Sequence, residues 1–125
     1  ILIAVNDVSR GGTLEQWEAD YRFILDASRK AKADLPVVLL DPFVLRSGRL
    51  KNEAAWKKWR GKGDQYCGIV AQLTKDYDAI HVKTQEVFDA AAKAVSPEQW
   101  IWDGVHPLPQ GHELIARNWL QQVSD

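Results

Sequence analysis

A carboxylate stands three residues ahead of a histidine in "WDGVHPLPQGH": Asp103, then His106. A histidine that acts as a general base needs its other ring nitrogen held by an acceptor. That bond selects the tautomer and stabilises the imidazolium. Asp103 can supply it from a tight turn, with Gly104 freeing the backbone between the pair and Pro107 and Pro109 stiffening the chain beyond it. Far away in the sequence, Asn6 follows the apolar run "ILIAV". Its amide can donate to a developing oxyanion, a contact typically worth ~3 kcal/mol in a transition state. Each feature alone has a plainer account: Asp103 capping a turn beside a surface histidine, Asn6 closing an Asx turn that Asp7 organises. Found together, with prolines and glycines framing the histidine, they point to hydrolysis of an acyl bond.

The remaining polar residues carry less. His112 falls in the first turn of a helix and reads as structural, and His81 lies inside an apolar run and reads as a hydrogen-bonded sheet residue. Asp41, before Pro42, reads as a turn former that can line the site. Asp103, His106 and His112 have metal-binding side chains, but their spacing matches no standard metal signature, so no metal is expected. Cys67 has no second cysteine to pair with and reads as a small buried hydrophobe. Of six tryptophans, Trp17 and Trp119 fall on core faces, and Trp56 and Trp59 on an amphipathic segment. Trp102 directly precedes Asp103 and is the one expected at a substrate pocket. A net charge of −1 gives no electrostatic case for nucleic acid or an anionic membrane surface.

These residues need a scaffold. Runs 1–5, 36–40 and 79–82 are apolar and β-branched without polar alternation, as in strands covered on both faces. Between the first two, Thr13 and Gln16 form a capping-box pattern ahead of Leu14, Trp17, Tyr21, Ile24 and Leu25 on one helical face. Asp64 is expected to cap a second helix that buries Tyr66, Ile69, Val70, Leu73 and Tyr77. Residues 84–95 form a short helix. A last helix from Pro109 buries Leu114, Ile115, Trp119, Leu120 and Val123. Such alternation predicts a parallel α/β sheet, whose function gathers at the carboxyl ends of its strands. That edge receives Asn6, Asp41 and the loop carrying Asp103 and His106.

Two blocks resemble the SGNH (GDSL) hydrolase family. "IAVND" resembles the block supplying the oxyanion asparagine, and "DGVHPLPQGH" the terminal Asp-x-x-His-Pro block. "NDVSR", "DPF", "TQEVFDAA" and "WIWDGVHP" are most similar to its carbohydrate acetylesterase branch, which includes acetylxylan esterases. The resemblance implies a flavodoxin-like, three-layer α/β fold, of which residues 1–125 are the C-terminal portion of one domain with the N-terminal strands outside this chain. It implies Asn6 as oxyanion donor, Asp103 as orienter and His106 as base, no cofactor, and short acyl esters of sugars as substrates. The resemblance favours a cytoplasmic location, and the sequence itself leaves the compartment open. Ala4 stands where the family block usually has glycine, and Ser9 where several members carry an aromatic residue.

The family's nucleophile belongs to a Gly-Asp-Ser block after a first strand. Here the nearest echo, Gly63-Asp64-Gln65, has no serine, and Ser9, Ser28, Ser47, Ser96 and Ser124 sit at no strand-to-helix elbow. The expectation is that the serine lies in an upstream segment and that this chain alone is inactive. A lysophospholipase or thioesterase of the same family is the alternative enzyme, and a non-catalytic binding module is the alternative of another class. Homo-oligomer formation stays open.

Overall fold

A computed structural model describes residues 1–124. Five helices and two strands follow one another as α1 (Val5–Arg10), α2 (Leu14–Ala31), β1 (Val38–Leu40), α3 (Glu53–Asp76), β2 (Ile80–Val82), α4 (Thr84–Ala94) and α5 (Pro109–Val123). Short 3₁₀ turns at Gly48–Lys51 and Pro97–Gln99 complete the chain. β1 and β2 pair in parallel, Leu39 opposite His81. The crossover between them is α3, which shares one face of the sheet with α2, while α5 packs against β2. This is the α/β class expected from the alternation of elements.

The layers are held by separate apolar clusters. On one face, Trp17, Tyr21 and Leu25 of α2 meet Tyr66, Val70 and Leu73 of α3 against Leu39. On the other, Phe88 of α4 and Ile101 pack with Phe43 and Leu45. α2 starts where the capping box puts it: Thr13 Oγ1 accepts from the Gln16 N–H at 3.1 Å. α4 and α5 also begin at the expected residues, α5 with Pro109 in its first turn.

Three expectations need correction. No strand spans 1–5. Ile1 alone takes a parallel-type pairing, its nitrogen donating to Val38 O and its carbonyl accepting from Leu40 N–H. The chain then turns, and α1 begins at Val5. Ala4, at φ 119°, takes the backbone out of extended geometry, so the β-propensity of the run does not carry the strand past its first residue. Asp64 caps nothing. α3 begins eleven residues earlier, where Asn52 accepts from the Ala55 N–H, and it runs through Gly61 and Gly63. Asp64 instead pairs with Arg60 one turn away. Finally, Trp119 and Leu120 do not face a core: they are 36% and 54% exposed. α5 rests on its neighbours through Leu114 and Ile115.

Candidate active site

The loop between the second 3₁₀ turn and α5 is built around Asp103. Its Oδ1 accepts from the backbone N–H of Val105 at 3.0 Å and of His106 at 2.8 Å. Its Oδ2 lies 2.7 Å from His106 Nδ1. Gly104, at φ 100°, makes this wrap possible, and a side chain there would also run into Leu50. The carboxylate is buried and the histidine side chain is 67% exposed. With Nδ1 occupied, Nε2 is the nitrogen left for another partner. Burial pushes the Asp103 carboxyl upward. The hydrogen bonds from the His106 ring and the two backbone N–H groups outweigh it, leaving Asp103 below the usual carboxylate range. It therefore remains an ionised acceptor for His106 well into acid.

No local sequence pattern marks what clamps this loop. The segment after β1 lies beneath it: Leu45 N–H donates to Gly104 O at 3.0 Å, and the buried Ser47 hydroxyl donates to Ile101 O. Gly48, at φ 48°, presses directly on the loop, so that a Cβ would stand 2.5 Å from Asp103 Cα and 2.6 Å from Trp102 O. Both clashing atoms are backbone and cannot swing away. Gly48→Ala in the complete domain should cost about 2 kcal/mol or more through strain and overpacking. A denaturant midpoint unchanged by the substitution would contradict this packing.

Asn6 arrives by a different route from the one expected. It lies exposed in the first turn of α1, not at a strand end. Among the described residues its side-chain amide makes no hydrogen bond, so the Asx turn is absent; its backbone carbonyl accepts from Ser9 Oγ at 2.7 Å. Val5 packs in one cluster with Leu50 and Val105, which sets the start of α1 beside the His106 loop. Ala4 precedes the helix at φ 119°, in the region glycine favours, with its methyl buried. The negative φ that would make alanine comfortable there is not adopted. An alanine held this way stores on the order of 1–3 kcal/mol.

Trp102 is 59% exposed, with its ring stacked beside the His106 imidazole at 6.4 Å between centroids. An apolar cleft of about 180 Å³ opens next to Val105, lined also by Leu2, Ile3, Val5, Pro42 and Phe43. Asp41 and His81 do not join the loop. They pair with each other, His81 Nε2 to Asp41 Oδ1 at 2.7 Å, with Asp41 buried at the end of β1. Burial raises the Asp41 carboxyl, partly offset by that bond. His112 is exposed in the first turn of α5. Cys67 is half-buried, and burial first, then nearby carboxylates, push its thiol up to about 12. Such a thiol stays protonated at neutral pH and is no nucleophile. Among the described residues no group of three or more His, Cys, Asp or Glu side chains is placed to hold a metal ion.

The profile of the GDSL-like lipase/acylhydrolase family matches residues 1–114. The chain belongs to that family. It is 29% identical over 134 residues to the acetylxylan esterase of Geobacillus stearothermophilus, covering 98% of this chain and 57% of that protein. The crystal structure of that esterase superposes with a TM-score of 0.81 at 27% identity, over all of this chain and 58% of the other. The crystal structure of a GDSL-like protein from Parabacteroides merdae gives a TM-score of 0.89 at 33% identity, over 99% of this chain and 58% of the other. Solved forms of the Geobacillus esterase include variants described as catalytic at a serine, at an aspartate, and at a histidine three residues after that aspartate. The chain thus carries an SGNH-type, acetylxylan esterase-like fold and spans somewhat over half the length of the relatives it matches. In that family's three-layer α/β fold, the two strands seen here form a small parallel sheet.

Proposed function

We propose that the protein containing this chain is a serine esterase that removes short acyl groups, acetyl above all, from carbohydrate esters. The chain itself, the later portion of one domain, contributes the Asp–His pair and an oxyanion donor. The observation that carries the reading is the Asp103–His106 couple. A buried carboxylate, fixed by two backbone N–H groups, holds Nδ1 and leaves Nε2 facing outward. In the Geobacillus esterase the residues described as catalytic include an aspartate and a histidine at this same spacing. Its catalytic serine falls much further ahead of the aspartate than this chain extends before Asp103.

In this mechanism His106 Nε2 takes the proton of a serine as its oxygen attacks the ester carbonyl. The Asn6 amide donates to the oxyanion, and His106 returns the proton to the departing sugar hydroxyl. Water then repeats the sequence on the acyl-enzyme. Neither metal nor cofactor enters these steps. The serine belongs to a Gly-Asp-Ser block upstream, since four of the five serine hydroxyls here are otherwise engaged and Ser124 lies at the end of α5. Ser9 and Ser28 donate to carbonyls within their own helices, Ser47 is buried against Ile101 O, and Ser96 donates to Glu98. Trp102 offers an aromatic face suited to a sugar ring at the edge of the site.

The cleft beside Val105 favours a second reading, a lysophospholipase or thioesterase with a longer acyl chain in that apolar space. Chain-length dependence separates the two. The complete enzyme is expected to show a higher kcat/KM on an acetyl than on an octanoyl ester of the same alcohol. A kcat/KM that climbs with acyl length would replace the first reading by the second.

A further inference from the structure

The segment that clamps the site loop, Arg46 to Lys51, carries three cations. Two are neutralised: Arg46 pairs with Glu53 and Lys51 with Glu98. Arg49 is not. Its Nη2 stands 3.9 Å from Asp103 Oδ2, the oxygen that already accepts from His106, and this is beyond hydrogen-bond reach. Arg22, Arg29, Arg46, Arg60 and Arg117 all donate hydrogen bonds to oxygen atoms. Among the described residues only Arg10, exposed at the end of α1, and Arg49 donate no side-chain hydrogen bond. Arg49 is nevertheless held in place. Its guanidinium lies over the Trp59 ring, 5.3 Å from the centroid, and the preceding Gly48 is pressed onto Asp103 and Trp102. A planar fork of donors is thus exposed and positioned beside the Asp–His pair with its bonds unmade.

We propose that Arg49 is the anion-recognition residue of this site, receiving a carboxylate carried by the sugar whose ester is cleaved. The inference rests on the esterase reading above. The guanidinium fork matches a carboxylate two bonds at a time, and stacking on Trp59 reduces the freedom lost when those bonds form. The neighbouring cations pair with glutamates, so one guanidinium, set against the Asp103 carboxylate, is the single positive charge here whose hydrogen bonds are unmade. That suits a monoanionic carboxylate better than a phosphate dianion. The preferred substrates are therefore acyl esters of acidic saccharides, with neutral sugars as poorer ones.

Two substrates isolate the effect: methyl glucuronoside and methyl glucoside, each carrying one acetyl at the same ring position. The measured quantity is the ratio of their kcat/KM values in the complete enzyme, for wild type, Arg49→Met and Arg49→Lys. The ratio is expected to favour the uronoside in wild type and to fall about tenfold in Arg49→Met, as for loss of a charge-assisted pair. Arg49→Lys should retain part of it, and added salt should erode it in wild type. A ratio within roughly twofold of wild type in Arg49→Met, or equal losses on both substrates, would show that Arg49 acts only through Asp103 or through packing. The Arg49 Nε–Hε resonance, followed while unacetylated methyl glucuronoside or methyl glucoside is added, reads recognition without turnover. If neither ester is cleaved but only the uronoside moves that resonance, the esterase reading fails and the recognition site stands. If neither sugar moves it, the recognition site falls whatever the activity.

Discussion

His106→Ala in the complete enzyme is expected to lower kcat for acetyl ester hydrolysis by a factor on the order of 10⁴ or more. The size follows from what the imidazole does twice per turnover, taking the serine proton and returning it to the leaving alcohol. Asp103→Asn should cost on the order of 10³–10⁴ while leaving the fold in place. An amide can still accept from the Val105 and His106 N–H groups that Asp103 Oδ1 now binds. It lacks the charge that stabilises the imidazolium, and its NH₂ facing Nδ1 favours the wrong tautomer. Asn6→Ala should cost about 10²–10³, the loss of one oxyanion donor. Steady-state kinetics with matched circular dichroism spectra checks all three. Near-wild-type kcat in His106→Ala would remove the basis for the Asp–His assignment.

The second large effect concerns the 125-residue chain by itself. It is expected to associate in solution and to remain unlabelled by a serine-directed phosphonate. Ile1, Leu2 and Ile3 are 39%, 41% and 37% exposed, and the outer edge of β1 is paired by Ile1 alone. A second apolar cleft, of about 370 Å³, is lined by Ile1, Leu25, Val38 and Trp119. An unpaired strand edge beside exposed apolar surface is a template for association. Adding the upstream segment of the complete protein as a separate chain should restore a monodisperse complex and phosphonate labelling, with the label on the added chain. Sedimentation and mass spectrometry of the labelled peptide read the two outcomes. A monomeric chain that hydrolyses acetyl esters alone, or that takes the label on Ser9, would refute the placement of the nucleophile upstream.

Much of the site was legible because its central contact is local. Asp103 and His106 are three residues apart around a glycine, and a turn of that length brings the carboxylate to Nδ1 with little help from the rest of the chain. Helix starts were equally readable where a cap lies next to the residues it serves, as at Thr13, or where proline opens the first turn, as at Pro109. The parallel pairing of β1 with β2 followed from the apolar runs and the helix between them. Where a feature depended on distant partners, local pattern misled. The run at 1–5 has strand composition, yet Ala4, its methyl buried, takes the backbone out of extended geometry, and α1 takes over at Val5. Asp64 looks like a cap beside two glycines, yet the packing of Ala55, Trp56 and Trp59 against Val44 and Leu50 carries one helix through from Glu53.

By itself, then, the sequence determined the α/β class, the Asp103–His106 couple and the order of the two blocks that bring Asn6 and His106 to one region, because caps, short turns and periodicity act over a few residues. Only the tertiary structure decided what surrounds that couple. Gly48 pressed on Asp103, Ser47 buried against Ile101 O, and Arg49 held over Trp59 each join positions ten or more residues apart. The pairing of Asp41 with His81 was decided in the same way, by the register of two strands forty residues apart. Such contacts leave no periodic trace, since they arise from which surfaces meet once the layers close.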